Sequence, residues 1–212
     1  TRYIGDWSSD VCSSDLKKKG YKMANIFAGY INEKDGEFSL SLQGKGVKQE
    51  DGSWVNEVIY TDIEFENDEV KENTVPQFDK VDDKSPHLTF TDIDWRLEDN
   101  SSKLIMVVKE ATEIAPTVFE KGMIQNQINV SGNVGNDFRT FGSNGNGGSI
   151  AVSQGEDTVW LDVTAWMDDV DLTKGKTVTL ENFMLTPNKY TNKDGVDICK
   201  IIAHSRNESS IN

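Results

Sequence analysis

The chain has 212 residues and a formal net charge of −14, from 22 basic and 36 acidic side chains, with a sequence pI near 4.5. That balance excludes a binder working through a broad basic footprint, the usual signature of nucleic-acid proteins, but it leaves room for a local basic track. The excess acid repels duplex DNA and favours solubility.

At the start, Gly5 to Leu16 (GDWSSDVCSSDL) reads as the translation of a sequencing-library adapter, and Lys17 to Lys22 (KKKGYK) as a purine-rich run ahead of a start at Met23. Residues 1–22 are therefore set aside as an artefactual or disordered leader. The alternative is a genuine Ser/Asp-rich tail. Neither form holds an apolar run long enough for a signal peptide or a membrane span. The remaining 190 residues are enough for one large domain or two barrels of about 90 residues each. They contain one cysteine, Cys199, and two histidines, His87 and His204. That set makes neither an intrachain disulfide nor a standard structural zinc site, and it fits a reducing, cytoplasm-like compartment.

Residues 23–115 read as all-β. Strands are predicted at Asn25–Tyr30, Glu37–Gln43, Trp54–Phe65, Leu88–Trp95 and Lys103–Val108, divided by turns at Lys34-Asp35-Gly36, Glu50-Asp51-Gly52 and Glu98-Asp99-Asn100. Trp54, Tyr60 and Trp95 are the weaker candidate binding residues of this half. Between Asn67 and Pro86 an acidic run brackets Pro76; it is either a mobile flap or the seat of a short helix, and it lacks the ligand spacing of a calcium loop. Residues 116–127, with Pro116 and Gly122, read as a linker.

The second half opens on a predicted strand at Ile128–Asp137. Asn144 to Gly148 (NGNGG) reads as a flexible hairpin, and it lacks the Lys-Ser/Thr that would end a phosphate loop. Ser153–Thr158 is a turn. Val159 to Trp166 then alternates, with Val159, Leu161, Val163 and Ala165 on one face and Trp160, Asp162, Thr164 and Trp166 on the other. Met167–Thr173 reads as a loop and Lys174-Gly175-Lys176 as a turn. Strands follow at Thr177–Leu185 and Pro187–Tyr190, and Asn192 to Gly195 is a hairpin signal. Aromatics on an open strand face with lysines at its turns suit a single-stranded nucleic acid, whose bases stack while its phosphates meet the cations. The candidate stacking residues are Trp160, Trp166, Tyr190 and Phe183, each alternatively a core aromatic. The candidate basic track is Arg139, Lys174, Lys176, Lys189 and Lys193, each alternatively a solvated surface charge.

Four motifs in order within this half resemble the bacterial and phage single-stranded DNA-binding proteins of the OB-fold type. They are Val130, Gly132, Asn133, Val134, Gly135 and Asp137; then Thr158, Trp160, Val163 and Trp166; then Lys174, Gly175, Val178, Leu180 and Glu181; then Tyr190, Asn192 and Gly195. Asn182 stands where the family has glycine. The likeness spans about residues 128–205. It implies an all-β fold: a C-terminal five-stranded OB barrel at 128–206 with a tail at 207–212, preceded by a second, diverged OB-like β domain. The first half parallels the second as an internal repeat of about 100 residues, in which Trp54 aligns with Trp160. Two family features are missing: the long basic arm between the second and third strands of the barrel, where Ser153–Thr158 is only a turn, and the acidic C-terminal tip.

The function expected is sequence-tolerant binding of single-stranded DNA in phage or mobile-element replication or recombination. No enzyme activity, metal or cofactor is expected, because no histidine, cysteine or carboxylate set stands out as catalytic. The partners expected are single-stranded DNA and replication or recombination proteins, in the cytoplasm and away from membranes, with the chain either a homo-oligomer or a monomer of tandem OB domains. Two rivals remain open: a structural or virion β protein making protein contacts, and an acidic DNA mimic.

Overall fold

The computed structural model describes residues 24–79, 85–117, 125–168, 170 and 172–212. The leader at 1–22 lies outside them, as does most of the expected linker.

The first half comprises β1 (Ile26–Lys34), β2 (Glu37–Lys48), β3 (Trp54–Phe65), helix α1 (Asp68–Thr74), a 3-10 turn (Val75–Phe78), β4 (His87–Thr91), β5 (Asp94–Glu98), β6 (Lys103–Val108) and β7 (Glu113–Pro116). The second comprises β8 (Asn126–Val134), β9 (Arg139–Phe141), β10 (Gly145–Gln154), β11 (Asp157–Trp166), β12 (Thr177–Thr191), β13 (Asp197–His204) and β14 (Ser210–Ile211). In the first half β1, β2 and β3 pair antiparallel, β3 runs parallel to β6, β6 pairs with β5, and β4 returns to β1. In the second, β8, β10 and β11 pair antiparallel, β11 runs parallel to β13, β13 pairs with β12, and β12 returns to β8. Both orders are that of the five-stranded Greek-key OB barrel, as the sequence predicts.

Register makes the repeat concrete. One rung of the first half runs His87–Tyr30–Ser41–Tyr60. The matching rung of the second runs Thr177–Asn133–Ala151–Trp160. Tyr60, and not Trp54, therefore occupies the place of Trp160, a correction to the sequence alignment. Five residues beyond each rung the fourth strand bulges at a left-handed residue, Asp92 (φ 59°) or Asn182 (φ 58°). Asp and Asn tolerate that conformation because their short side chains bond locally. The bulge breaks the predicted strand Leu88–Trp95 into β4 and β5. The predicted strands Thr177–Leu185 and Pro187–Tyr190 instead fuse into one β12, which holds Pro187 within it.

Alternate inward residues fill each barrel, among them Phe27, Leu40, Leu42, Phe90 and Met106 in the first and Ile128, Ile150, Leu161, Phe183 and Leu185 in the second. Between its third and fourth strands the first barrel is plugged by α1, whose N-cap Asn67 accepts a hydrogen bond from the Val70 amide at 2.9 Å. Phe78 follows, packed edge-on to Phe38 and Phe90. The short helix is thus the outcome for the acidic stretch. The second barrel uses buried Leu172 and half-buried Phe138 at the same place.

The expected linker begins and ends in strand: Pro116 closes β7, which pairs with β4, and Asn126 and Gln127 open β8. There β1 and β8 meet antiparallel, Ile26 opposite Gln127 and Phe27 opposite Asn126. The two first strands thereby relate the halves by an approximate two-fold axis. Buried Asn126 locks the junction: its amide donates to the carbonyls of Leu185 (2.6 Å) and Gln43 (3.2 Å) and accepts from the Leu185 N–H (3.1 Å). Asn126→Ala strands these buried backbone groups and is expected to cost about 3 kcal/mol, read as a lower urea midpoint. Ser101 adds a second bridge, donating to the Trp160 carbonyl at 2.9 Å while its own carbonyl accepts from the Ile201 amide at 2.6 Å.

Candidate nucleic-acid interface

On the outer face of the second barrel, β11 presents Trp160, Asp162, Thr164 and Trp166 opposite Ala151, Ser149, Gly147 and Gly145 of β10. The partners are all small, so the two indoles stand open, 55% exposed at Trp160 and 47% at Trp166. Six residues of strand separate them, roughly 20 Å at about 3.3 Å per residue. The Trp160 ring reaches across to Gly135, where a Cβ would overlap it.

The glycine-rich stretch read as a flexible hairpin is the start of β10. Short β9 pairs with it, Phe141 opposite Gly145 and Arg139 opposite Gly147. The Phe141 ring lies on both glycines: a Cβ at Gly145 would overlap it and one at Gly147 would crowd it. Its edge packs against Trp166, with centroids 5.1 Å apart and planes at 88°. Phe141, which is absent from the sequence-based candidates, therefore makes Trp166 part of a two-ring shelf. Its sequence signal is the alternation Arg139-Thr140-Phe141 ahead of glycines spaced two apart. Arg139 is exposed on the same face.

Asp162 lies between the tryptophans. Ser149 donates to it at 2.5 Å, and Lys200 of β13, another residue the sequence reading missed, stands 3.7 Å away. Tyr190 shares Lys200's face of the β12–β13 hairpin by alternation and is exposed; Lys189, opposite Cys199, points to the other face. Lys193 is exposed at the hairpin tip, where Asn192 caps the turn by accepting from the amides of Asp194 and Val196. Lys174 and Lys176 flank Gly175 (φ 86°) in an exposed turn. The Gly175 amide donates to the Val134 carbonyl at 2.8 Å, and the Lys174 amide to Asp137 at 2.6 Å. This turn thus adjoins the Gly135 backbone beneath Trp160.

Phe183 is not a platform. It is fully buried, because the bulge at Asn182 turns both Leu180 and Phe183 inward and the barrel needs an aromatic to fill it.

In the first half Tyr60 is 69% and Trp54 70% exposed on β3, and Trp54 lies over Gly46. Tyr30 shares the Tyr60 rung and meets His87 edge-on at 4.6 Å; burial holds the His87 imidazole below its ordinary pKa. Carboxylates accompany these rings along β3. Asp62 binds Lys103 at 2.9 Å and Glu64 binds Arg96 at 2.6 Å. Trp95 sits elsewhere, half-buried on β5 and packed on the core.

Among the described residues, no group of three or more His, Cys, Asp or Glu is placed to hold a metal ion, and no helix is long and apolar enough to cross a membrane.

The sequence matches no protein-family model and no curated protein. Among solved structures, a murine DNA-binding protein bound to double-stranded DNA is 10% identical over 89% of this chain and 95% of that one, with a TM-score of 0.29. The wild-type single-stranded DNA-binding protein of Thermus aquaticus is 16% identical, covers 88% of this chain and 91% of its own, and has a TM-score of 0.48. A deletion mutant of the same Thermus aquaticus protein is likewise 16% identical, over 88% of this chain and 92% of its own, with a TM-score of 0.49.

Proposed function

We propose that this protein binds single-stranded DNA on the β10–β11 face of its second barrel, without sequence preference and without catalysis or a cofactor. The observation that carries the reading is the pair of open indoles on one strand, backed by Phe141 and floored by glycine and alanine. Every base has a face to stack, so such a shelf is tolerant of sequence. Arg139, Lys174 and Lys176 border it and would meet phosphates. The net negative charge is no bar. The first half carries 22 acidic and 10 basic residues over 23–127, against 11 and 7 over 128–212, and exposed charges beyond about 10 Å are largely screened at 0.1 M salt. Replication or recombination of a phage or mobile element, in the cytoplasm, is the setting this role suits.

The first barrel favours a different contact. Its exposed Tyr60 and Trp54 share β3 with Asp62 and Glu64, a face better matched to a protein surface than to phosphates.

The test is tryptophan fluorescence during titration with oligo-dT at low and moderate salt. Quenching is expected, with log affinity falling by about 0.7 per phosphate contacted for each decade of salt. Unchanged fluorescence at low salt would overturn the reading and leave the structural protein-contact role in its place.

A further inference from the structure

Beside Trp166 lies an open groove of about 520 Å³, walled also by Met167, His204, Arg206, Asn207 and Ser209. Its position follows from register. His204 pairs with Thr164 on the outer face, the Ser205 amide donates to the Thr164 carbonyl, and the Trp166 amide donates to the Ser205 hydroxyl at 2.8 Å. One step further, Arg206 flanks Trp166 on the side opposite Phe141.

Arg206 is held but not satisfied. Its amide donates to the Ser209 hydroxyl at 2.8 Å and its Nε to the Asn182 carbonyl at 3.3 Å. Its Nη2 is buried without a hydrogen-bond partner. Burial depresses the pKa despite nearby Glu208, yet a guanidinium stays charged in proteins. Arg206 is thus a half-buried cation that helps wall an open groove beside an exposed indole. Lys45, from β2 of the first barrel, lies close enough for its charge to disfavour protonation of His204, which burial disfavours more strongly. Two cations, Arg206 and Lys45, therefore act at this groove, with Glu208 the carboxylate beside Arg206.

We propose that this groove takes a phosphate of the bound strand, attracted by the Arg206 guanidinium, while a neighbouring base stacks on Trp166. The proposal rests on the single-strand reading above. It assigns to Arg206 a binding role that the sequence motifs do not reach. A guanidinium is more weakly hydrated than an ammonium and keeps its charge when partly buried, whereas lysine offers a compact, strongly hydrated point charge.

The experiment is a salt series of oligo-dT titrations on the full chain for wild type, Arg206→Gln and Arg206→Lys, with thermal midpoints as folding controls. Arg206→Gln is expected to weaken binding about tenfold and to lower the salt slope by about 0.7. Arg206→Lys is expected to keep the wild-type slope and lose part of the affinity. A purely structural arginine would shift the midpoint without moving the slope. Wild-type affinity and slope in Arg206→Gln would overturn the proposal; if that variant does not fold, wild-type affinity in Arg206→Lys would do so. A wild-type protein that does not bind oligo-dT at all refutes the single-strand reading itself, a different result from either.

Discussion

Trp166→Ala is expected to weaken oligo-dT binding by roughly one to two orders of magnitude, since stacking on an aromatic side chain is worth about 1–3 kcal/mol per base. The Trp166 ring is about half exposed, and Phe141, which packs against it, is itself 40% exposed. The thermal midpoint should therefore stay close to wild type. Trp160→Ala is expected to behave alike. Its ring can also be unseated without being removed: Gly135→Val puts a side chain where the indole lies and should reduce binding with all tryptophans in place. Fluorescence quenching and melting, measured on the same samples, check each expectation. Unfolding in Trp166→Ala would make that ring part of the core and displace the proposed platform.

Phe183→Ala should act in the opposite sense. The ring is fully enclosed in the second barrel, and truncating a buried phenylalanine costs about 3–5 kcal/mol through lost burial and the cavity left behind. That is a large share of the 5–15 kcal/mol typical of a whole domain. The expected result is a sharply lower urea midpoint, while the fraction that remains folded binds oligo-dT as wild type does. A stable Phe183→Ala protein that has lost binding would put the ring back on the surface.

These two aromatics mark where local pattern was and was not enough. Alternation alone placed Trp160 and Trp166 outward, because β11 is regular along its length and its period of two holds. The limits of Trp54–Phe65 were legible for the same reason, and those of Lys103–Val108 as a continuous apolar run, with Leu104, Ile105 and Met106 all buried. Phe183 was not, since a single left-handed residue at Asn182 shifts the phase of every side chain before it relative to those after it. The glycines of β10 misled differently. Glycine is scored as loop because it is conformationally free, but here its missing side chain is what lets Phe141 lie flat on the strand. The alignment of Trp54 with Trp160 failed because matching residue types says nothing about ladder register. Long-range features such as the β1–β8 junction, Asn126 and the Arg206 groove join residues from distant strands and leave no local trace.

The β1–β8 junction also bears on how this molecule meets copies of itself. An open strand edge is an adhesive surface, ready to template pairing with another chain. In each barrel the first strand leaves a short stretch of edge that the second strand does not cover. Here the two stretches close on each other within one polypeptide. The counterpart never diffuses away: a tether of this kind presents it at an effective concentration in the millimolar range. Dilution cannot separate the pair, so this junction by itself should add no dependence of the melting temperature on protein concentration.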